Sequence, residues 1–201
     1  MKNHPIKSLF TAVLLIILFS SCKTSFRGEV IFKTSIRSND PDQNQVNYYV
    51  EKYGDTLVID YHKNGDMIRS HKNGLLDYQY FNAEKGEIYY QYHNSRRDTF
   101  QSRNFSLNHI SFNEREAEMI MGEECECYQI VSTLKSRPDT VVLEACYPKS
   151  KDFYLDPELY INYHDYYLLQ LFRLNQSPYF KFYIHYPEVS ILYDGIEVKN
   201  Q

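Results

Sequence analysis

Alternation between apolar and polar residues constrains the fold of this chain more than any other feature of its sequence. It recurs in four segments of the first half, at residues 30–37, 56–62, 76–80 and 88–93. In the first of these, Val30 and Phe32 occupy one side, and Glu29 and Lys33 occupy the other. A repeat of two matches a β-strand with one buried and one solvated face. The pattern therefore predicts half-buried antiparallel strands.

Turn signals separate these strands at short intervals. Asn64-Gly65 and Asn73-Gly74 are hairpin signals, because both central residues of a type I′ turn need positive φ. Further strands are expected at residues 124–133, 140–148, 180–184 and 189–193. Such spacing predicts an antiparallel meander.

Tyrosine is unusually frequent, since the chain has 20 Tyr and 12 Phe but no Trp. Aromatic residues pack well on a pleated sheet. In the third alternating segment, Leu76, Tyr78 and Tyr80 are expected on one face, with Asp77 and Gln79 on the other.

One later segment differs from this pattern. Residues 162–165 resemble a capping box with Asp in the place of Glu, and an apolar run follows them. They predict a helix over about residues 163–173, ending near Asn175 and Pro178. The fold class expected is mainly β, a curved antiparallel sheet with one or two short helices packed on it.

The first 21 residues have the three regions of a secretory signal. Lys2 and Lys7 form a basic leader, residues 9–19 are apolar and uncharged, and Ser20 and Ser21 precede Cys22. The apolar run is about half the roughly 20 residues that a spanning helix needs.

Residues 18–22 resemble a bacterial lipobox, with Phe19 where Leu is usual. That resemblance implies that Cys22 becomes the lipidated first residue of the mature protein. The alternatives are an ordinary cleaved signal and an uncut signal anchor. The division expected is a lipoprotein signal peptide at 1–21, a lipidated tether at 22–27 and a single β-rich domain at 28–201. Lys23 after the anchor favours the outer membrane, with the domain facing the periplasm.

Three cysteines remain after the anchor, and they lie on two adjacent strands. Setting Thr133 opposite Thr140 puts like beside like and places Cys127 opposite Cys146. Opposed Cβ atoms lie close to disulfide range, and the cell envelope is oxidising. A slip of two residues would instead pair Cys125 with Cys146, and both pairings stay open.

A metal site is the alternative to the disulfide. The thiols and the neighbouring residues Glu123, Glu124 and Glu126 are metal-ligand types. Alternation, however, places Cys125 and Cys127 on the opposite face from Glu124 and Glu126, whereas zinc needs converging ligands. No metal and no cofactor is therefore expected.

No catalytic motif stands out in the sequence. There is no nucleophile elbow, no zinc-protease helix, no phosphate loop and no dinucleotide fingerprint. The acidic residues Asp152, Asp156, Glu158 and Asp165 are explained better by capping and solvation than by paired acid–base catalysis. The histidines are scattered: His62, His71, His93, His109, His164 and His185.

Two further segments carry a resemblance to a known family: Ile120–Tyr128, which contains Gly-Glu-Glu-Cys-Glu-Cys-Tyr, and Tyr154–Asn162. With the lipobox and the Tyr-rich meander, they resemble uncharacterised Bacteroidota lipoproteins related to the lipoprotein-carrier (LolA/LolB-like) half-barrel superfamily. Those relatives often carry Gly-Tyr-Lys-Cys-Lys-x-Tyr at the first motif and Trp where Cys146 stands. The resemblance implies a half-barrel whose concave face holds an apolar groove, covered in part by the helix at 163–173.

The function expected is therefore a non-enzymatic envelope lipoprotein that binds an acyl chain, another apolar ligand or an apolar partner segment in that groove. One alternative is a structural or interaction subunit of an envelope complex, with the groove filled by its own side chains. A lesser alternative is a hydrolase or metal-binding protein. A formal net charge of −4 argues against nucleic acid as a partner, so the lipid anchor is the expected membrane contact.

Overall fold

The computed structural model describes residues 25–39, 43–102, 107–134, 140–164 and 173–200. Eleven strands fall within these ranges: β1 Gly28–Ser38, β2 Thr56–Tyr61, β3 Met67–Lys72, β4 Leu76–Asn82, β5 Glu87–Tyr92, β6 Arg97–Gln101, β7 Leu107–Ile120, β8 Glu123–Leu134, β9 Thr140–Pro148, β10 Lys181–His185 and β11 Val189–Asn200. The helix α1 spans Gln43–Tyr53, and two 3-10 turns span Lys151–Phe153 and Pro157–Tyr160. The predicted fold class, a mainly β antiparallel curved sheet with short helices, is confirmed.

All eleven strands form one open sheet in the order β6-β5-β4-β3-β2-β1-β11-β10-β9-β8-β7. It consists of two meanders, a first wing of β1–β6 and a second wing of β7–β11. Antiparallel pairing between β1 and β11 joins the wings, from Gly28 opposite Asn200 to Ser38 opposite Val189. A bulge at Ile31 and Phe32 interrupts the register. The first and last strands of the domain therefore meet at the centre of the sheet.

The hydrophobic core lies on one face of the sheet, called here the inner face. Val30, Phe32 and Ile59 on the central strands are fully buried there. Their sequence neighbours point to the opposite, outer face, as the alternation predicted. Fully burying a large apolar side chain stabilises a fold by about 1.5–3 kcal/mol, which is why the alternation fixes which face turns inward.

A long connection between β9 and β10 covers the inner face; residues 149–180 are called here the crossing segment. The Tyr163 ring packs on Phe81 of β4 at 4.9 Å, and the Tyr179 ring packs on Phe32 of β1 at 5.6 Å. The Asn162 side chain donates to the Ala83 carbonyl at 2.9 Å. The segment therefore runs from the second wing to the far side of the first wing and back.

The helix predicted over residues 163–173 falls mostly on residues 165–172, which lie outside the described residues. Tyr163 and His164 are not helical, and Arg173–Asn175 form a single helical turn. In the described chain no helix has the length and apolar character needed to span a membrane.

Four elements were not predicted from the sequence. The helix α1 has polar faces and no acidic residue in its first turn, so it lacks the usual start signals. The strand β3 turns Arg69 and His71 inward, which hides its alternation. The strands β6 and β7 form the two edges of the sheet, where exposed polar and charged residues are the rule.

The packing of His71 against α1 gives stability that depends on pH. The side chain is 3% exposed, its Nδ1 lies 3.3 Å from the Tyr53 carbonyl at the end of α1, and its ring lies 5.3 Å from the Tyr53 ring. Burial lowers the pKa of His71 to about 4, and the charges of Arg69 and Lys52 act in the same direction. Hydrogen bonds to Tyr53 and Gln79 oppose the shift only in part.

In the unfolded chain a histidine binds its proton near pH 6.5. The stability that neutral His71 provides is therefore complete above that pH and is lost as the pH falls from about 6.5 to about 4. We expect a loss of at most about 3 kcal/mol in the free energy of unfolding over this window. Urea unfolding from pH 7.5 to 4.5 should show a shallower decline in His71→Gln than in the unaltered protein. His93→Gln, an exposed control, should keep the original decline, and equal declines in all three proteins would contradict the prediction.

Candidate functional site

The inner face, where a binding groove was expected, is occupied by the chain's own aromatic side chains. The largest of these are each less than 2% exposed: Tyr61, Tyr147, Tyr160, Tyr163, Tyr179, Phe32 and Phe180. Four of them belong to the crossing segment. Within the described residues this face is a packed core, and the crossing segment lies where a ligand would otherwise lie.

A small polar cavity remains within that core. It has a volume of about 60 Å³ and is lined by Arg69, His71 and Gln79 together with apolar side chains. The Arg69 guanidinium donates to the hydroxyls of Tyr163 and Tyr179. Ligand pockets for drug-sized molecules typically have about 300–1,000 Å³, so this cavity has room for a few water molecules rather than an acyl chain.

A much larger concavity lies on the other face of the first wing. It measures about 650 Å³ and is called here the outer depression. Its floor is a row of cross-strand neighbours on β3–β6, namely Ile68, Tyr80, Tyr89 and Thr99. Tyr78 continues the aromatic surface on β4. Its size lies within the usual range for a ligand site.

A β-bulge explains why tyrosines line this face. The register of β4 against β5 shifts between Leu76 and Tyr78, so Asp77 is an extra residue. Leu76 therefore points inward and is fully buried, whereas Tyr78 and Tyr80 point outward. The prediction that Leu76, Tyr78 and Tyr80 share one face was wrong, because an inserted residue reverses the direction of every side chain beyond it.

Hydrogen bonds hold the two central rings of the outer depression in place. The Tyr80 hydroxyl donates to the Asp66 carboxylate at 2.7 Å, and the Tyr89 hydroxyl donates to the Glu87 carboxylate. These bonds raise the pKa of both tyrosines, because each carboxylate stabilises the protonated phenol. The two rings stack at 5.9 Å with 25° between their planes. Both rings are therefore fixed and partly exposed, and each has one face against the other ring.

Polar side chains surround this aromatic floor. Lys85 lies on the β4–β5 turn, and its backbone N–H donates to the Asn82 side chain at 2.8 Å. On the β6 side, the Arg97 Nε donates to the Gln91 side-chain oxygen at 2.6 Å. The rim thus combines amide, hydroxyl and cationic groups around an apolar base, which is the usual make-up of a ligand site.

The cysteines of β8 and β9 have the Cys127–Cys146 pairing, one of the two that the sequence left open. Thr133 lies opposite Thr140, and Cys127 lies opposite Cys146, to which it is joined by a disulfide. Cys125 lies opposite Pro148 and stays a buried free thiol.

The environment of Cys125 keeps its thiol unreactive. Burial is the larger cause and the charges of Glu123, Glu118 and Glu124 add to it, raising the pKa of Cys125 to about 11. A protonated thiol neither attacks a disulfide nor binds a metal well. This chemistry favours retention of the Cys127–Cys146 bond.

The acidic residues near the cysteines have other partners. Glu124 is paired with Lys149 at 2.6 Å, and Glu126 accepts from the Tyr128 hydroxyl at 2.9 Å. Glu118 has a carboxylate oxygen within 4.8 Å of the sulfurs of Cys127 and Cys146, a grouping that reduced thiols could offer to a metal. Those sulfurs are bonded to each other, and the Glu118 carboxylate forms an ion pair with the Lys181 ammonium at 2.6 Å.

Histidines of the described residues contact separate partners. His62 lies 3.3 Å from Asp60, and His93 lies 3.9 Å from Asp77, each at the surface. His185 contacts the Ser190 hydroxyl at 3.0 Å, but Ser190 is 2% exposed and donates to Asn39. The side chain of His109 lies outside the described residues.

Among the acidic residues of the crossing segment, Asp156 has a capping role. The Asp156 carboxylate accepts from the Glu158 N–H and caps the turn Pro157–Tyr160. Asp152 lies in the turn Lys151–Phe153, which Ser150 caps. Asp165 lies outside the described residues. Cys22, the expected site of lipidation, also lies outside them.

The comparisons with known proteins show no family for this chain. No protein-family model matches it, and no curated protein matches it. One solved structure that is similar in outline is the lipoprotein LppX of Mycobacterium tuberculosis, at 9% identity and a TM-score of 0.39, covering 94% of this chain and 95% of that one. Another is a DUF1329 family protein from Desulfovibrio piger, at 10% identity and a TM-score of 0.28, covering 99% and 94%. At these scores neither structure identifies a site in this chain.

The Cys127–Cys146 bond closes a loop with a sequence separation of 19 residues. Removing it by the double change Cys127→Ala and Cys146→Ala should lower the free energy of unfolding by about 3 kcal/mol, because the unfolded chain regains the freedom that the cross-link removes. Urea unfolding with and without dithiothreitol measures this. The reductant should weaken the unaltered protein and Cys125→Ala but leave the double variant unchanged. A double variant as stable as the unaltered protein would contradict the prediction.

Proposed function

We propose that this protein is a non-enzymatic lipoprotein of the cell envelope, and that it binds a ligand or partner segment with an apolar face in the outer depression. The observation that carries the proposal is the contrast between the two faces of the sheet. The inner face offers about 60 Å³ in the described residues, whereas the outer depression offers about 650 Å³ over Ile68, Tyr78, Tyr80 and Tyr89.

The proposed binding surface lies on the outer face of the sheet, not in the inner groove that the sequence suggested. An apolar groove was expected on the concave face, and a groove filled by the chain's own side chains was the mark of a purely structural subunit. The filled inner face favours that alternative for the core. The outer depression supports a binding role. Its half-buried aromatic rings are held by hydrogen bonds, and the packing of the core does not require this arrangement.

The anchor is the second part of the proposal. The signal at residues 1–21 and the lipobox-like residues 18–22 support lipidation of Cys22. Two or three acyl chains, at about 0.8 kcal/mol per buried CH₂, would hold the protein on a membrane permanently. Lys23 supports an outer-membrane location, with the domain on the periplasmic side.

Replacing Cys22 tests the anchor. The Cys22→Ser variant should lose the mass of the lipid and move from the membrane to the soluble envelope fraction, because serine has no thiol to receive the acyl anchor. Fractionation and intact-mass spectrometry measure both changes, and Cys125→Ala serves as the matched control that keeps the anchor. A Cys22→Ser protein that stays on the membrane with unchanged mass would refute lipidation.

An environment-sensitive dye tests the depression. N-phenylnaphthylamine should fluoresce in the presence of the lipid-free domain, and the enhancement should fall severalfold in the double variant Tyr80→Ser and Tyr89→Ser, which removes the apolar floor. The control is Tyr48→Ser, since Tyr48 is a large exposed ring on α1 that does not line the depression. Equal fluorescence with both variants would place apolar binding elsewhere and refute the proposed site.

A further inference from the structure

We propose that the outer depression binds the pyranose rings of a glycan displayed at the membrane surface. This inference rests on the proposed function, since it names the ligand class of the same site. It follows from three properties of the depression: fixed flat rings, a rim rich in hydrogen-bonding groups, and a position near the lipid anchor.

The flat rings come first. Tyr80 and Tyr89 lie side by side on neighbouring strands, and carboxylates hold their hydroxyl groups at the edge of the depression. Because the two rings stack on each other, each leaves one face, and not its hydroxyl, for a ligand. A pyranose has one face of C–H groups and an edge of hydroxyl groups, so it can lie flat on an aromatic ring and bury its apolar face there.

The rim supplies what the edge of a sugar requires. Lys85 and Arg97 offer charged donors on opposite sides of the floor, and Thr99 offers a hydroxyl that both donates and accepts. Neither cation has an ion-pair partner among the described ion pairs, and Arg97 uses its Nε on Gln91. Its terminal nitrogens can therefore meet hydroxyl or acidic groups of a ligand.

The shape of the depression argues against an acyl chain as the occupant. An acyl chain gains less binding energy on an open surface than in an enclosed groove, because the part of each CH₂ left in water contributes nothing. The floor of the depression consists of partly exposed side chains on an open sheet face, and no second layer covers them in the described residues. A sugar loses little by keeping its hydroxyl edge in water, so an open site suits it.

The position of the depression relative to the membrane follows from where Ser25 and Phe26 lie. The Asp156 N–H donates to the Ser25 side chain, and the Phe26 ring packs on Tyr61 at the end of β2, so Ser25 is held at this end of the sheet. Cys22 comes three residues before Ser25, a reach of at most about 10 Å. The strand β4 lies three strands from β1, about 14 Å away, and Asn82 is at its end nearest Ser25. A lipidated Cys22 would therefore hold this end of the depression within about 25 Å of the bilayer.

Calorimetric titration of the lipid-free domain tests the inference with three pyranose probes and one acyl probe. The pyranose probes are the core oligosaccharide released from a rough lipopolysaccharide, glycan strands of peptidoglycan, and maltoheptaose, and the acyl probe is dodecanoate. We expect at least one pyranose probe to bind and dodecanoate not to bind. Binding of the core oligosaccharide alone would identify a glycolipid as the source, and binding of the peptidoglycan strands would identify the wall. Tyrosine fluorescence offers a second readout, because the chain has no Trp.

Matched substitutions at Tyr89 separate ring stacking from general apolar contact. Tyr89→Phe keeps the flat ring and should bind the sugar within about threefold of the unaltered protein, whereas Tyr89→Leu keeps an apolar side chain and should bind at least about tenfold more weakly. Arg97→Ala, an exposed change that leaves the core intact, should weaken sugar binding severalfold. Tyr48→Leu should have no effect.

Two results would overturn the inference in distinguishable ways. Binding of dodecanoate that Tyr89→Leu tolerates, with no binding of any pyranose probe, would leave the proposed function standing and exclude a glycan. Absence of binding by all four probes, together with no effect of Tyr80→Ser and Tyr89→Ser on dye fluorescence, would refute both the inference and the proposed site.

Discussion

The pairing of β1 with β11 is the contact on which the rest of the structure depends. Each wing is a meander of local hairpins, but only these two strands join the wings into one sheet. They lie at opposite ends of the chain, so the pairing closes a loop of some 150 residues, and its entropic cost is met only when the inner face is buried at the same time. Phe32 shows this coupling, because it stands on β1 and packs against Tyr179 just before β10. The two wings and the core should thus form as one cooperative unit.

The crossing segment determines which face of the sheet can be used. Its tyrosines fill the inner face, and their hydroxyls surround Arg69, a cation that would otherwise be costly to bury among apolar side chains. Removal of this segment from the core would expose both the aromatic residues and that charge. The described side chains of the inner face therefore stabilise the fold. The proposed binding function lies on the outer face, where Tyr80 and Tyr89 are held by bonds that do not involve the core.

Much of the fold could be predicted from local sequence, because alternation and Asn-Gly turns act over a few residues. The register of β8 against β9, in which Thr133, Val131 and Cys127 each meet a like residue, was one of the two that the sequence left open. The site was harder to predict. A single extra residue, Asp77, turns Tyr78 and Tyr80 outward, and no local pattern marks a bulge when the residues beyond it are aromatic on both faces. The strand β3 was not predicted for a related reason. Its inward side chains Arg69 and His71 contact residues that are distant in the sequence, and only the fold brings these residues together.

The same reasoning explains why tyrosine, rather than phenylalanine, is so frequent in this chain. On the inner face a tyrosine can fill the core and still accept a hydrogen bond from Arg69, as Tyr163 does. On the outer face its hydroxyl can be held by a carboxylate, so that the ring is fixed without being buried, as Tyr89 is by Glu87. A phenylalanine at that outer position would keep the flat surface but lose the bond that orients it. A leucine would keep the apolar area and lose the flat surface as well. The hydroxyls of Tyr163 and Tyr89 thus have different roles on the two faces, and the outer tyrosine is the one that leaves a ring face for a ligand.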